Sequence, residues 1–198
     1  RGARSNDFAV GVLARRFGGS LGLGSKQVHC KGDSMSLFEN DEYQWRETYF
    51  ILFEEENRPP AEKVEKALKK LDPRYEVQNV LSDDEGRFEA LTLVSPDDYA
   101  AMDISFVTGE EVVEQTAELI DELLKAAFTD EEKDTIRTLA DCRCRFDVYH
   151  FEQLTFVGRD TESEEDDFMD PGALLSVMER IAELCGGVVI DPQANSIL

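Results

Sequence analysis

The stretch from Trp45 to Phe53, WRETYFILF, constrains the fold more than any other part of the chain. Its centre is an unbroken run of β-branched and aromatic residues, strand-sized rather than helix-sized, and reads as a central strand covered on both faces. Such a strand must be paired along both edges and layered over. EEENRPP ends it, and Pro59 and Pro60 set the start of a helix, AEKVEKALKKLD, in which Val64, Ala67, Leu68 and Leu71 share one face. Asp72-Pro73 stops that helix.

Two further strands follow, from Tyr75 to Leu81 and from Arg87 to Val94, joined by SDDEG. Gly86 supplies the positive φ that a hairpin turn needs. Ser95-Pro96-Asp97-Asp98 has the order N-cap, proline, acidic first turn, so one short helical turn precedes a strand through MDISFV. Thr108 to Glu111 matches a capping box ahead of a long helix. On that helix Val113, Ala117, Ile120, Leu124 and Phe128 make one apolar stripe, widened by Val112, Leu119, Leu123 and Ala127. Thr129 to Glu132 repeats the capping signal for a helix through about Leu139. A long strand, Arg145 to Val157, comes next. The acid block from Glu162 to Asp167 then predicts a mobile loop near residues 159–169. Asp170-Pro171 starts a last helix with Leu174, Val177, Met178, Ile181 and Leu184 on one face and Gly186 at its C′ position. GGVVIDPQANSIL closes the chain as strand, turn and strand.

The order βαββ, followed by helix and strand, is the split βαβ order of ferredoxin-like sandwiches. It predicts an α+β domain over residues 35–198, with a mostly antiparallel sheet, helices packed on one face and extra helices added. A length of 198 residues and 41% hydrophobic content suit one domain with a real core.

Charge divides the chain. Residues 1–34 hold six Lys/Arg and two acids, a net +4, and residues 35–198 hold 15 and 41, a net −26. The opening segment is Gly- and Ser-rich with no sustained period, and the first Met is Met35. Residues 1–34 therefore read as a disordered or non-native basic segment, with an Arg-rich transit peptide as the alternative. So acidic a body would be repelled by nucleic acid and by anionic membrane, and no run is long enough to span a bilayer. The expected partner is a protein, either a basic one or a second copy.

CRCRFDVYHF places Cys142, Cys144 and His150 within nine positions. A structural zinc wants four ligands in two close pairs, and here there is one CxC pair with isolated His150 and Cys185. On a straight strand Cys144 and His150 would lie about 20 Å apart at roughly 3.3 Å per residue. The thiols therefore read as packed and reduced, which fits a cytoplasmic location. His150, between Tyr149 and Phe151, reads as a structural histidine, and no serine elbow accompanies it. GGSLGLGSK, residues 18–26, lacks the ending of a phosphate loop. Asp97, Asp98 and Asp103 sit at strand ends, where two carboxylates could gather a divalent metal, although capping explains the first two. Phe38, Tyr43, Trp45 and Arg46 combine aromatics with arginine as binding hot spots do, and form the expected partner surface. These observations predict a non-enzymatic interaction or regulatory module without a cofactor. The alternatives are a small metal-dependent enzyme using the strand-end carboxylates and an acidic inhibitor or chaperone-like binder of a basic protein.

Overall fold

The computed structural model describes residues 36–154 and 172–198; the basic opening segment and the acid block near 159–169 lie outside them. A 3-10 turn, Leu37–Glu39, precedes β1, Tyr43–Phe53, and α1, Ala61–Leu71. Next come β2, Glu76–Ser82, β3, Phe88–Ser95, and β4, Ala100–Thr108. The helices α2, Glu110–Ala126, and α3, Asp130–Thr138, lead to β5, Cys144–Gln153. The chain ends with α4, Gly172–Cys185, β6, Val188–Asp191, and β7, Ser196–Ile197.

The strands form one sheet in the order β2-β3-β4-β5-β1-β6-β7, and every pairing is antiparallel. This is an α+β fold with a sheet larger than that of a ferredoxin-like sandwich. Alternate strands of such a sheet point the same way, so β1 and β2 are parallel, as are β5 and β6. α1 crosses over between the first pair and α4 between the second, moving in opposite lateral directions from oppositely directed strands. The right-handed rule for crossovers then puts both helices on the same face. They do share it: Val64 and Leu68 of α1 and Leu174, Val177, Met178 and Ile181 of α4 bury against Ile51, Phe53, Leu93, Phe146 and Val148.

The connection from β4 to β5 joins neighbouring antiparallel strands and carries no such constraint. Its two helices take the other face, where Leu119, Leu123 and Ile136 pack on Phe50, Leu52 and Ile190. The expectation of helices on one face is therefore corrected. The cause is β1, whose residues from Thr48 to Phe53 are all buried, so that both of its faces need a cover. We call the two sides the crossover face and the divided face, because on the latter a second cluster, built on Leu37, Ala101, Tyr149 and Phe151, lies apart from the first.

Two local expectations also change. Thr108 is the last residue of β4 and donates its hydroxyl to the Arg143 carbonyl oxygen at 3.3 Å, while Gly109 stands at the N-cap of α2 without a side-chain bond. The second capping box forms in full between Thr129 and Glu132. The buried stripe of α2 runs through Val112, Thr116, Leu119 and Leu123 rather than through Ala117 and Phe128, and Phe128 is 94% exposed. That helix ends at Ala126, so Phe128 falls in the turn, where its N–H donates to Glu132 Oε2 at 2.9 Å. Finally, Cys142 precedes β5 and packs on the divided face, whereas Cys144 enters the core of the crossover face.

Candidate functional site

On β5 the residues of odd number point to the divided face. Arg145, Asp147 and Tyr149 therefore stand in one line, and the alternation R-F-D-V-Y already displays it in the sequence. Arg145 and Asp147 are 1% and 2% exposed and meet at 2.6 Å between Nε and Oδ1. Arg145 also donates from Nη2 to Gln115 Oε1 of α2 at 2.9 Å, and its guanidinium lies 3.9 Å from the centre of the Phe50 ring. Tyr149 donates its hydroxyl to Asp147 Oδ2 at 3.2 Å. Arg145 Nη1 and Thr116 Oγ1 are buried with no hydrogen-bond partner among the described residues.

Beyond Tyr149 the divided face changes character. β4 presents Asp103 and Ser105, β3 presents Ala90 and Thr92, and the edge strand β2 presents Leu81 and Asn79. Small and polar residues make a low floor, and a pocket of about 220 Å³ opens over it. Among the described residues no α-helical one lines this pocket; Ser36 and Phe38 of the N-terminal turn and Tyr149 form its wall. Across the floor Asn79 Nδ2 donates to Thr92 Oγ1 at 3.3 Å, and that hydroxyl donates to Asp103 Oδ1 at 2.7 Å. Asn79 has φ of +52°, a left-handed conformation at the irregularity between Gln78 and Leu81, which breaks the ladder of the edge strand.

The structure brings three of the four expected surface residues together. Phe38 stands edge-on to Tyr149 and Phe151, with ring centres 5.4 and 4.7 Å away. Tyr43 and Trp45 pack against the same cluster, and Trp45 Nε1 donates to Thr48 Oγ1 at 3.2 Å. Arg46 is exposed and pairs with Glu152 of the neighbouring strand. The carboxylates Asp97, Asp98 and Asp103 are not gathered. Asp97 pairs with Arg74, Asp98 accepts from the Ser95 hydroxyl, and Asp103 lies on the pocket floor. Among the described residues no three His, Cys, Asp or Glu side chains converge at metal-binding distance.

The remaining reactive groups are held in place. Cys142, Cys144 and Cys185 are free and buried. Burial pushes the Cys144 thiol up to about 12 and Cys185 up to about 11, and it raises Cys142 as well. A thiol so placed is neutral near pH 7 and a poor nucleophile. On the crossover face His150 Nδ1 sits 3.4 Å from Glu47 Oε1, a close approach rather than a well-formed hydrogen bond, and Tyr49 donates to Glu47 Oε2 at 2.7 Å. The imidazole first and the tyrosine hydroxyl second lower the Glu47 pKa against its partial burial. This Tyr49-Glu47-His150 set depends on the register shift between Trp45 and Glu47, which no local pattern announces.

Comparison of the chain with protein-family models, with curated proteins and with solved structures found no match. None of the described helices is long and apolar enough to cross a membrane.

Proposed function

We propose that this chain is a non-enzymatic, cytoplasmic protein-interaction module that receives a basic partner on the open part of its divided face. The observation that carries the reading is the low floor of Ala90, Thr92, Asp103 and Ser105, bordered by the Phe38 and Tyr149 rings and, among the described residues, by no α-helix. Aromatic side chains beside a shallow polar floor suit a protein contact, in which rings anchor and polar groups set register. The excess of acids in residues 35–198 favours a partner rich in Lys and Arg over a second copy of the same charge. The described thiols support the same reading, since burial keeps Cys144 and Cys185 neutral near pH 7. Within this proposal the inner strands β4-β5-β1-β6 represent a ferredoxin-like order with the α4 crossover from β5 to β6, the hairpin β2-β3 to which α1 leads is the addition that carries the binding face, and the α2-α3 pair covers the rest of that side.

The test is quantitative affinity purification from the native host with wild type, Ala90→Trp and Phe38→Ala. A partner retained in stoichiometric amount by wild type should fall at least tenfold with Ala90→Trp, which fills the floor, and less with Phe38→Ala. Equal recovery on wild type and Ala90→Trp would refute the assignment of the face.

A further inference from the structure

A second hollow lies on the crossover face, where α4 gives way to β6. Gly186 and Gly187 make the turn between them. Gly186 has φ of +62°, and a Cβ on Gly187 would stand 2.9 Å from the Leu52 carbonyl oxygen and 3.1 Å from Cys185 Sγ. Close packing of the backbone thus excludes a side chain at Gly187, and among the described residues no side chain fills the angle between helix and strand. The result is a groove of about 590 Å³, within the range of roughly 300–1,000 Å³ usual for binding clefts.

Leu175, Met178 and Ala182 form a stripe along one flank of α4 at helical spacing, and Val189 and Leu198 face them. Leu175 and Leu198 remain 42% and 54% exposed. From Leu175 to Gly186 the groove follows α4 for about 16 Å at roughly 1.5 Å per residue. Apart from two glutamates its described walls are aliphatic.

The rim indicates what covers it. Glu179 and Glu183 both border the groove. Glu183 pairs with Arg180 at 2.7 Å, and Glu179 has no ionic partner among the described residues. A second copy would bring the same carboxylates and the same net charge of −22 to the contact, and like charges at an interface are costly. A cationic occupant instead gains at both positions.

We infer that this groove docks a basic, aliphatic segment of a partner protein, with leucine-like side chains against Leu175 and Leu198 and lysine or arginine against Glu179 and Glu183. The inference rests on the interaction-module reading and adds to it a second contact with a stated chemistry. The probe is a short fluorescent peptide of leucine and lysine at helical spacing, titrated against the full chain by anisotropy. Leu175→Glu should weaken binding about tenfold, as should the double variant Glu179→Lys, Glu183→Lys. Leu175→Glu makes the protein more acidic, so unspecific attraction would leave binding unchanged or tighten it, and either result would overturn the groove. All the substituted side chains are exposed, and a thermal melt checks that each variant folds. The two readings fail separately. A host partner lost with Ala90→Trp but kept, like the peptide, by Leu175→Glu removes the groove and leaves the module. No retained host protein at all removes the module.

Discussion

The two faces of the sheet are built from the same strands and differ in what they bury. On the crossover face Phe53, Phe88, Phe106 and Phe146 meet ring to ring beneath α1 and α4, and even the charged Arg58 is drawn in, its guanidinium 3.6 Å from the Phe106 ring and its Nε bonded to the Phe88 carbonyl oxygen at 2.7 Å. On the divided face the apolar contact breaks into two clusters with the Arg145-Asp147 pair between them. Apolar burial stabilises by roughly 25 cal/mol per Å², whereas a buried ion pair barely offsets its own desolvation. The crossover face therefore holds the fold together, and the divided face spends buried volume on polar groups that stability alone would not select.

The sharpest way to break this comparison lies in two adjacent residues that face opposite sides. Phe146→Ala should cost about 3–5 kcal/mol through the cavity it leaves. Asp147→Ala should cost a similar ~3–5 kcal/mol for a different reason, because Arg145 would stay buried without its counter-charge. The repair separates them. Arg145→Met with Asp147→Leu should return most of the loss, since an apolar pair often replaces a buried ion pair without penalty. Equilibrium urea unfolding reads all three variants, and a double variant no more stable than Asp147→Ala would show that the polar row is structural after all.

Alkaline pH gives the next largest effect and belongs to the crossover face. Burial raises Cys144 to about 12 and Cys185 to about 11, from an unfolded value of roughly 8.5. The raised folded pKa means that their contribution is complete below pH about 8.5 and is lost as pH climbs toward the folded values. Tyr49, raised chiefly by burial and then by Glu47, acts in the same sense. The melting temperature should therefore hold from neutral pH to about 8.5 and fall beyond it, less steeply in Cys144→Ala. A thiol reagent at neutral pH should leave Cys142, Cys144 and Cys185 unmodified in a Cys30→Ser background until the chain unfolds. Rapid modification while folded would contradict their burial.

Smaller effects sharpen the divided face. Thr129→Ala removes a complete capping box from α3 and should cost ~1 kcal/mol. Thr108→Ala breaks no cap, and Leu81→Ser changes a half-exposed edge residue, so each should stay within about 0.5 kcal/mol. If Thr108→Ala costs as much as Thr129→Ala, the start of α2 is capped in solution as its sequence suggested.

Those two threonines mark where sequence stops informing. Both open the same four-residue signal, and only Thr129 caps, because Thr108 is already committed to the sheet through Arg143. Strand and helix order is legible, since period, proline and glycine act within a few residues. Gly86, Gly186 and the turn at Asp191-Pro192 fall where expected. The run YFILF also carried the two-sided burial of β1, which the expectation of a single helical layer set aside. Pairing order, the shift between Trp45 and Glu47 and the line of α2 that turns inward depend on contacts distant in sequence. Phe38, Tyr43 and Trp45 of the proposed partner surface were visible as residue types; the pocket beside them was not, because its floor comes from β3 and β4.

The most direct test of the unequal faces is hydrogen exchange on the full chain, free and in complex with the partner recovered from the host. Amides of residues 76–82 and 90–94 should slow on binding while those of α1 keep their rates. Protection that appears across α1, with β2 and β3 unchanged, would contradict the account.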